Sequence, residues 1–458
     1  MDSSRVWIRL AWLALFLLAA PAGPARAASG QSTFRLTPKH RPGEISRVEV
    51  VVQVGGDMRF VTDGKSKDLP MSVLANLKYD EQLLAIDGAG RANRSVRHYE
   101  DAHAVIKVDK GGEKPGLDAQ HRVIVAEKTA QSAAVLYSPA GPLRREELDL
   151  VDVPGNTLLL DHLLPSEEIA PGKSWKVTDE TLAALLGLDA VSWSDVDCML
   201  AGVADNVADV SAGGSVSGAV CGVSTDVELK VKLKFDLKTN RINFFALLIK
   251  EKRSVGHVGP GLDTVAKVVI TITPKQQSAG LTAAFVKSLP EKVTPELTRL
   301  IYVSPGGRIR FQYDRCWYVT TDESKLAVLR MIDRGDLVAQ CNLSPLKETG
   351  KPVTLAEFQR DVQSSLGKNF GQFVKASQST TPSGQTMFRV VVQGTVSQLP
   401  IEWIYYLVED DKGRGASMAF TFEQELESRF GKADRDLIAN LRLTQPVAPT
   451  AAKPVKQK

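Results

Sequence analysis

Residues 227–237 read Val-Glu-Leu-Lys-Val-Lys-Leu-Lys-Phe-Asp-Leu, apolar and polar in strict alternation. A period of two without a slip predicts a strand with one buried and one wet face. Thr239 and Asn240 break the run. Asn tolerates positive φ, so a tight hairpin is expected there. The return stretch, 242–249, is apolar on both sides. Each large side chain buried on its inner face contributes ~1.5–3 kcal/mol. This hairpin predicts the spine of a large antiparallel sheet.

The same period recurs upstream. Val48, Val50, Val52 and Val54 share one face of a strand over 45–54. Gly55-Gly56 is expected to break it before it resumes at 58–62, and Asp63-Gly64 to turn it. Met71, Val73, Ala75, Leu77 and Tyr79 alternate again, a turn falls at 87–90, and 94–108 is a long strand region. Runs 122–127 and 132–137 fit a hairpin. Short turns between successive strands favour an up-and-down meander. Two helices interrupt it: 156–164, ended by Pro165, and 179–188, capped by Asp179 with Leu182, Leu185 and Leu186 on one face. A curved sheet or half-barrel with short helices over its concave side is expected for 28–273.

Residues 274–308 carry Pro274, Pro290, Pro295, Pro305 and Gly306-Gly307, and read as a linker with short helices at 281–289 and 295–300. A second domain is expected over 309–443. Runs 313–320, 326–333 and 337–343 read as strands. Thr354 and Glu357 then form a capping box, with Val353 and Phe358 in the hydrophobic-staple positions. Leu355, Phe358, Val362 and Leu366 line one face of the helix they start. Three strands follow at 387–394, 401–409 and 416–421. The middle one is apolar on both faces and so reads as central and doubly covered. A helix near 434–441 supplies one cover. Residues 444–458, rich in Pro, Ala and Lys, read as a disordered tail.

The N-terminus changes the picture most. Arg5 and Arg9 precede an apolar run at 10–20, and Ala25-Arg26-Ala27 fits a small-x-small cleavage site. Residues 1–27 read as a signal peptide, placing the mature chain in the periplasm or outside the cell. No later stretch is apolar enough for a transmembrane helix. Export lets disulfides persist. Cys198 with Cys221, and Cys316 with Cys341, would give one bridge per half, against the alternative of four buried thiols. The 458 residues are 43% hydrophobic and 24% charged, with a net charge of +4. That composition is ordinary for globular proteins and gives no electrostatic case for nucleic acid.

Candidate chemistry is sparse. His98, His103 and His121 could hold a metal, but the first two fall on opposite faces of a strand. Asp161-His162 with Ser166 or Ser174 suggests a hydrolase, yet the chain has no Gly-x-Ser-x-Gly elbow. Asp63-Gly64-Lys65-Ser66 lacks the upstream glycine of a phosphate loop and reads as a turn. Asp195, Asp197 and Asp205 lack calcium-loop spacing. Asn93 and Asn342 open glycosylation triplets. Lys230, Lys232 and Lys234 form a basic stripe for an anionic lipid or polysaccharide, or simply a solvated strand face that discourages edge pairing. No catalytic constellation, cofactor or metal site is expected.

The second half resembles a known fold. Leu337-Val-Ala-Gln-Cys-Asn-Leu-Ser-Pro345, Thr354-Leu-Ala-Glu-Phe358 and Phe388-Arg-Val-Val-Val-Gln-Gly394 resemble the third strand, first helix and a later strand of the PsbP-like α/β/α sandwich. The resemblance implies a mostly non-enzymatic accessory or binding role and carries no functional residue. The whole chain also resembles exported bacterial proteins of unknown function. A non-enzymatic binding or scaffolding protein is therefore expected, with an unidentified protein partner or apolar small molecule. The alternatives are a carrier of an apolar ligand on the concave face and an unrecognised hydrolase.

Overall fold

The large sheet is joined down its middle by the first and last of its long strands. In the computed structural model, which describes residues 32–444 except 63, 129–133, 347–352, 382–383 and 411–413, β1 (Ile45–Thr62) pairs with β12 (Gly261–Lys275). One wing continues from β1 through β2 (Lys65–Ile86) and β3 (Ala92–Val108) to β5 (Val123–Lys128) and β6 (Ala134–Tyr137), with β4 (Gly111–Glu113) on the side of β3. The other wing runs back from β12 through β11 (Arg241–Arg253), β10 (Val223–Asp236), β9 (Val207–Val220) and β8 (Ala190–Ala204) to β7 (Ser174–Lys176). All twelve strands pair antiparallel in an open sheet with β6 and β7 at its edges.

The alternation in β10 does what its pattern demands. Val227, Leu229, Val231, Leu233 and Phe235 are buried while Glu228 and the three lysines are exposed. The Gly55-Gly56 pair departs from expectation, because β1 runs straight through it. A Cβ on Gly56 would sit 2.2 Å from the Asp263 carbonyl oxygen, so the glycine permits close backbone approach by β12 instead of breaking the strand.

Between the wings the chain folds onto the inner face. It forms α1 (Arg145–Val151), α2 (Thr157–Leu160) and α3 (Asp179–Leu186). The pattern reading lacks α1, and α3 is capped by the Thr178 hydroxyl, which accepts from Thr181 N, instead of by Asp179. The expected linker is structured. It forms α4 (Ala283–Ser288), α5 (Pro295–Thr298) and β13 (Leu300–Val303), and α4 covers Val96, Val125 and Tyr137 on the outer face of the first wing.

Residues 309–313 do not join the second large sheet. As β14 (Ile309–Tyr313) they pair with β13 and with the terminal β22 (Arg442–Leu443) in a three-stranded sheet. The second large sheet has seven strands: β15 (Trp317–Asp322), β16 (Ala327–Asp333), β17 (Asp336–Pro345), β18 (Phe370–Thr380), β19 (Thr386–Val396), β20 (Leu399–Glu409) and β21 (Gly415–Glu423). Their spatial order is 15-16-17-21-20-19-18. The edge strand β18 is an addition to the expected set. The capped helix α6 (Leu355–Leu366) packs Phe358, Val362 and Leu366 on one face of this sheet, over Phe388, Val390 and Trp403. On the other face, beside α7 (Glu427–Phe430) and α8 (Ala433–Ile438), a single buried cluster runs from Trp317 and Phe420 through Phe311 and Leu300 to Phe245 and Val48 of the twelve-stranded sheet. The two sheets share one core. No helix among the described residues is long and apolar enough to cross a membrane.

Candidate functional site: a divided pocket on the inner face

At four residues, α2 is too short to be stable alone. A buried polar knot holds it to the sheet. From β3, Arg97 donates to Glu81 Oε1 at 2.8 Å, to Asn156 Oδ1 at 2.6 Å and to Thr157 Oγ1 at 2.9 Å. The hydroxyls of Ser95 and Thr157 both donate to the same Glu81 oxygen at 2.8 Å. Asn156 in turn caps α2, accepting from Leu158 N. Arg97 also lies over the Tyr79 ring, 5.2 Å from its centroid. Burial opposes the guanidinium charge, but Tyr79, Glu81 and Tyr99 outweigh it and raise the Arg97 pKa. Burial pushes the Tyr99 phenol up to about 12.

The knot suspends α2 above a cavity of about 440 Å³. Ile45, Leu83, Leu158, Leu160, Ile242 and Ile272 make the apolar part of its lining, beside polar Ser46, Thr157, Thr239 and Asn243. Its rim carries charged and polar groups that already have hydrogen-bond partners. His40 Nε2 lies 2.8 Å from Asp161 Oδ2, and Arg241 Nη1 lies 2.8 Å from His40 Nδ1. Arginine only donates, so Nδ1 accepts and Nε2 carries the proton given to Asp161. Arg241 also pairs with Glu44, and Lys275 with Asp80.

A second hollow of about 220 Å³ lies further along the same face, between Leu186 and Leu188 on one side and Val52, Ile249 and Val268 on the other. Gly155 separates the two. It has φ +87°, and a Cβ there would stand 2.8 Å from Phe245 and 3.2 Å from Ile270. Phe245 and Ile270 fall between the pocket-lining residues of β11 and β12: Ile242 and Ile272 on one side, Ile249 and Val268 on the other.

The sequence-derived hydrolase grouping separates. His162, Ser166 and Ser174 do line one hollow, but on the other side of α2 from the inner pocket. Asp161 is bonded to His40, and the Nδ1 of His162 faces Arg91 at 3.1 Å. Among the described residues no carboxylate is hydrogen-bonded to His162, and both nitrogens of His40 are occupied by Asp161 and Arg241. The other histidines do not gather. His98 packs on Gly280, His103 bonds Asp101, and His121 is buried against Glu147 at 2.9 Å. Among the described residues no group of three or more metal-type side chains occurs.

Neither of the two possible disulfides is formed; all four thiols are free. Cys198 sits opposite Ala212 in β9, nine residues from Cys221 at the end of that strand. That is ~30 Å along a strand, against the ~4.4–6.8 Å between Cα atoms that a bridge requires. Cys341 on β17 and Cys316 beside β15 flank β16 from opposite sides, two strand spacings or ~9.6 Å apart before their offset along the strand is counted. Burial pushes the Cys198 and Cys316 thiols up to about 12 and raises Cys341 as well, which keeps them neutral. Cys221 donates to the Tyr318 hydroxyl at 3.2 Å, tying the β9–β10 turn to β15.

Lys230, Lys232 and Lys234 stand exposed on the outer face, opposite Leu248, Ala246 and Phe244 of β11. Replacing all three with Ser is expected to change stability by less than ~0.5 kcal/mol in urea titration, since none makes a buried contact.

The signal-peptide residues, the 128–131 turn beyond Lys128 and nearly all of the tail lie outside the described residues. Sequence reasoning missed His40, Arg241, Arg97 and Glu81. No local spacing links them, and only the pairing of distant strands brings them together.

No protein-family model matches the chain, and no curated protein does. Three of the solved structures that it matches align over about a third of it. The cyanobacterial PsbP protein of Synechocystis aligns at 12% identity over 34% of this chain and 98% of its own, with a TM-score of 0.24. A Pseudomonas aeruginosa protein of unknown function aligns at 10% identity over 32% of this chain and 99% of its own, also at 0.24. A Bacteroides thetaiotaomicron protein aligns at 13% identity over 32% of this chain, with the same TM-score. The present chain spans about half of that protein's length, at 48%. No functional residue comes with these likenesses.

Proposed function

We propose that this is an exported, non-catalytic binding protein that carries an apolar ligand between the inner face of the twelve-stranded sheet and α2. In this reading the sheet is a half-barrel, α1 to α3 form its cover, and the C-terminal part is a PsbP-like α/β/α sandwich that braces it. Export rests on the 1–27 pattern. The single observation that carries the reading is the cavity of about 440 Å³ under α2, whose lining is more apolar than polar. That size lies within the ~300–1,000 Å³ usual for small-molecule sites. Asp161 accepts from His40 and Ala92 N, Asp236 from Lys238 N and Thr239 N, and Arg241 pairs with Glu44, so these rim groups already have partners within the protein. A neutral, apolar ligand is what such a pocket favours.

Native mass spectrometry of the mature chain, purified without detergent from its host, tests this. Extra mass that disappears on solvent extraction is expected. Ile242→Trp, which fills the cavity from β11, is expected to weaken binding of a neutral long-chain fluorescent alcohol by more than about tenfold while the chain stays folded. A clean polypeptide mass, together with no probe binding by the unmutated chain, would remove the carrier reading.

A further inference from the structure

The hollow on the far side of α2 has the opposite chemistry. It encloses about 610 Å³, and its lining includes Leu159, Leu164, Trp175 and Val177. Three donors meet in it. Arg91 comes from the turn between β2 and β3, Lys128 from the end of β5, and His162 from the turn that follows α2.

The hydrogen-bonding roles follow from the contacts. Arg91 donates to His162 Nδ1, so the proton of the neutral ring lies on Nε2. That Nε2–H is buried and has no hydrogen-bond partner among the described residues. A buried donor left unmade costs free energy on the order of 1–3 kcal/mol and calls for an acceptor. Burial, then Lys128 and Arg91, lower the His162 pKa, which keeps the ring neutral.

The carboxylates nearest these cations in sequence, Asp161 and Asp87, are engaged elsewhere. Asp161, beside His162, is bonded to His40 and to Ala92 N. Asp87, in the turn that carries Arg91, accepts from the backbone of Ala89 and Arg91. Glu168 pairs with Arg35, while Lys176 on the same lining pairs with Asp195 and Asp197. Glu167 and Glu180 also line the hollow and are exposed to water. Among the described residues no ion pair engages Arg91 or Lys128 with a carboxylate at the distances that join Lys176 to Asp195.

We propose that Arg91, Lys128 and the Nε2–H of His162 form a phosphate-binding site. A phosphate offers acceptor oxygens in several directions, which suits donors arriving from three separate elements. The apolar residues beside them give a surface for whatever the phosphate is esterified to. This site lies across α2 from the inner pocket and does not depend on the carrier reading.

Calorimetry on the full mature chain tests it, with inorganic phosphate and hexyl phosphate as probes. Binding of hexyl phosphate more than about tenfold tighter than inorganic phosphate identifies a phosphate ester, as in a lipid headgroup, as the natural ligand. Equal affinities identify the free anion. Both results keep the site. Arg91→Gln with Lys128→Gln is expected to weaken binding by more than about tenfold. Both side chains are partly exposed, so the double variant is expected to stay folded, which its circular dichroism checks; if it does not, Lys128→Gln alone serves. The His162 proton resonance provides a second readout. Its titration midpoint lies below the usual ~6.5 without ligand and should rise when phosphate is added, because the anion offsets the two cations. Ile242→Trp should leave phosphate binding unchanged, which separates this site from the inner pocket. No heat with either probe at about 10 mM, or a double variant that binds as the parent does, overturns the proposal.

Discussion

Arg97→Met is expected to cost roughly 3–5 kcal/mol of unfolding free energy. Arg97 is 2% exposed, and its partner Glu81 is 7% exposed. Removing the guanidinium leaves a buried carboxylate with only the hydroxyls of Ser95 and Thr157. It also frees Asn156, and with it the cap of α2. The double replacement Arg97→Met with Glu81→Gln should recover part of the loss, because the uncompensated charge is gone while the lost tether is not. Urea titration of the four proteins in this cycle checks both statements. A single variant within ~1 kcal/mol of the parent would show that the knot is not what holds α2.

The second large effect is expected at Asp434. This carboxylate in α8 is 1% exposed. Its Oδ2 accepts from Arg389 Nε and Nη2 at 2.9 and 2.8 Å and from the Tyr406 hydroxyl at 2.7 Å. Asp434→Ala strands a mostly buried arginine and should cost ~3–5 kcal/mol. Asp434→Asn keeps the shape and one acceptor, and should cost ~1–3 kcal/mol. Burial and then the Asp434 charge raise the Tyr406 phenol, while Arg389 lowers it. Removing the carboxylate charge should therefore bring the Tyr406 titration down, measurable by ultraviolet absorbance.

Much of the architecture is legible in the sequence wherever burial is one-sided and regular. β10 alternates without a slip, and the helix opened by Thr354 carries its cap and staple in the right places, with Thr354 N donating to Glu357 Oε2 at 2.9 Å. Legibility fails where the period slips or the partner is remote. β18 is an exposed edge strand with irregular register at two places, after Phe370 and after Phe373, so its apolar residues do not alternate. α1 lasts under two full turns and has no Ser, Thr, Asp or Asn cap to announce it. β14 lies just before the strand expected at 313–320, and nothing local says that its partners are β13 and β22.

The inner pocket is the extreme case. His40, Asp161 and Arg241 are drawn from the segment before β1, the turn after α2 and the start of β11. They meet because β12, which pairs with β1, also pairs with β11. The glycine that divides the face, Gly155, looks in sequence like one more turn residue.

The seam between β1 and β12 also has a consequence for how the chain acquires its structure. Ile45 faces Lys275 across it, so the two wings of one sheet are joined by a contact spanning nearly half the polypeptide. Each wing is built from hairpins between consecutive strands, and these close quickly. The seam is a long-range closure that must wait for its second strand to be synthesised, and such non-local pairings are slow. Until then β1 is an unpaired edge of eighteen residues, rich in valine. An edge of that kind recruits other strands. The stage at which this chain most needs protection from aggregation is therefore the interval between the emergence of its first valine strand and the arrival of its twelfth.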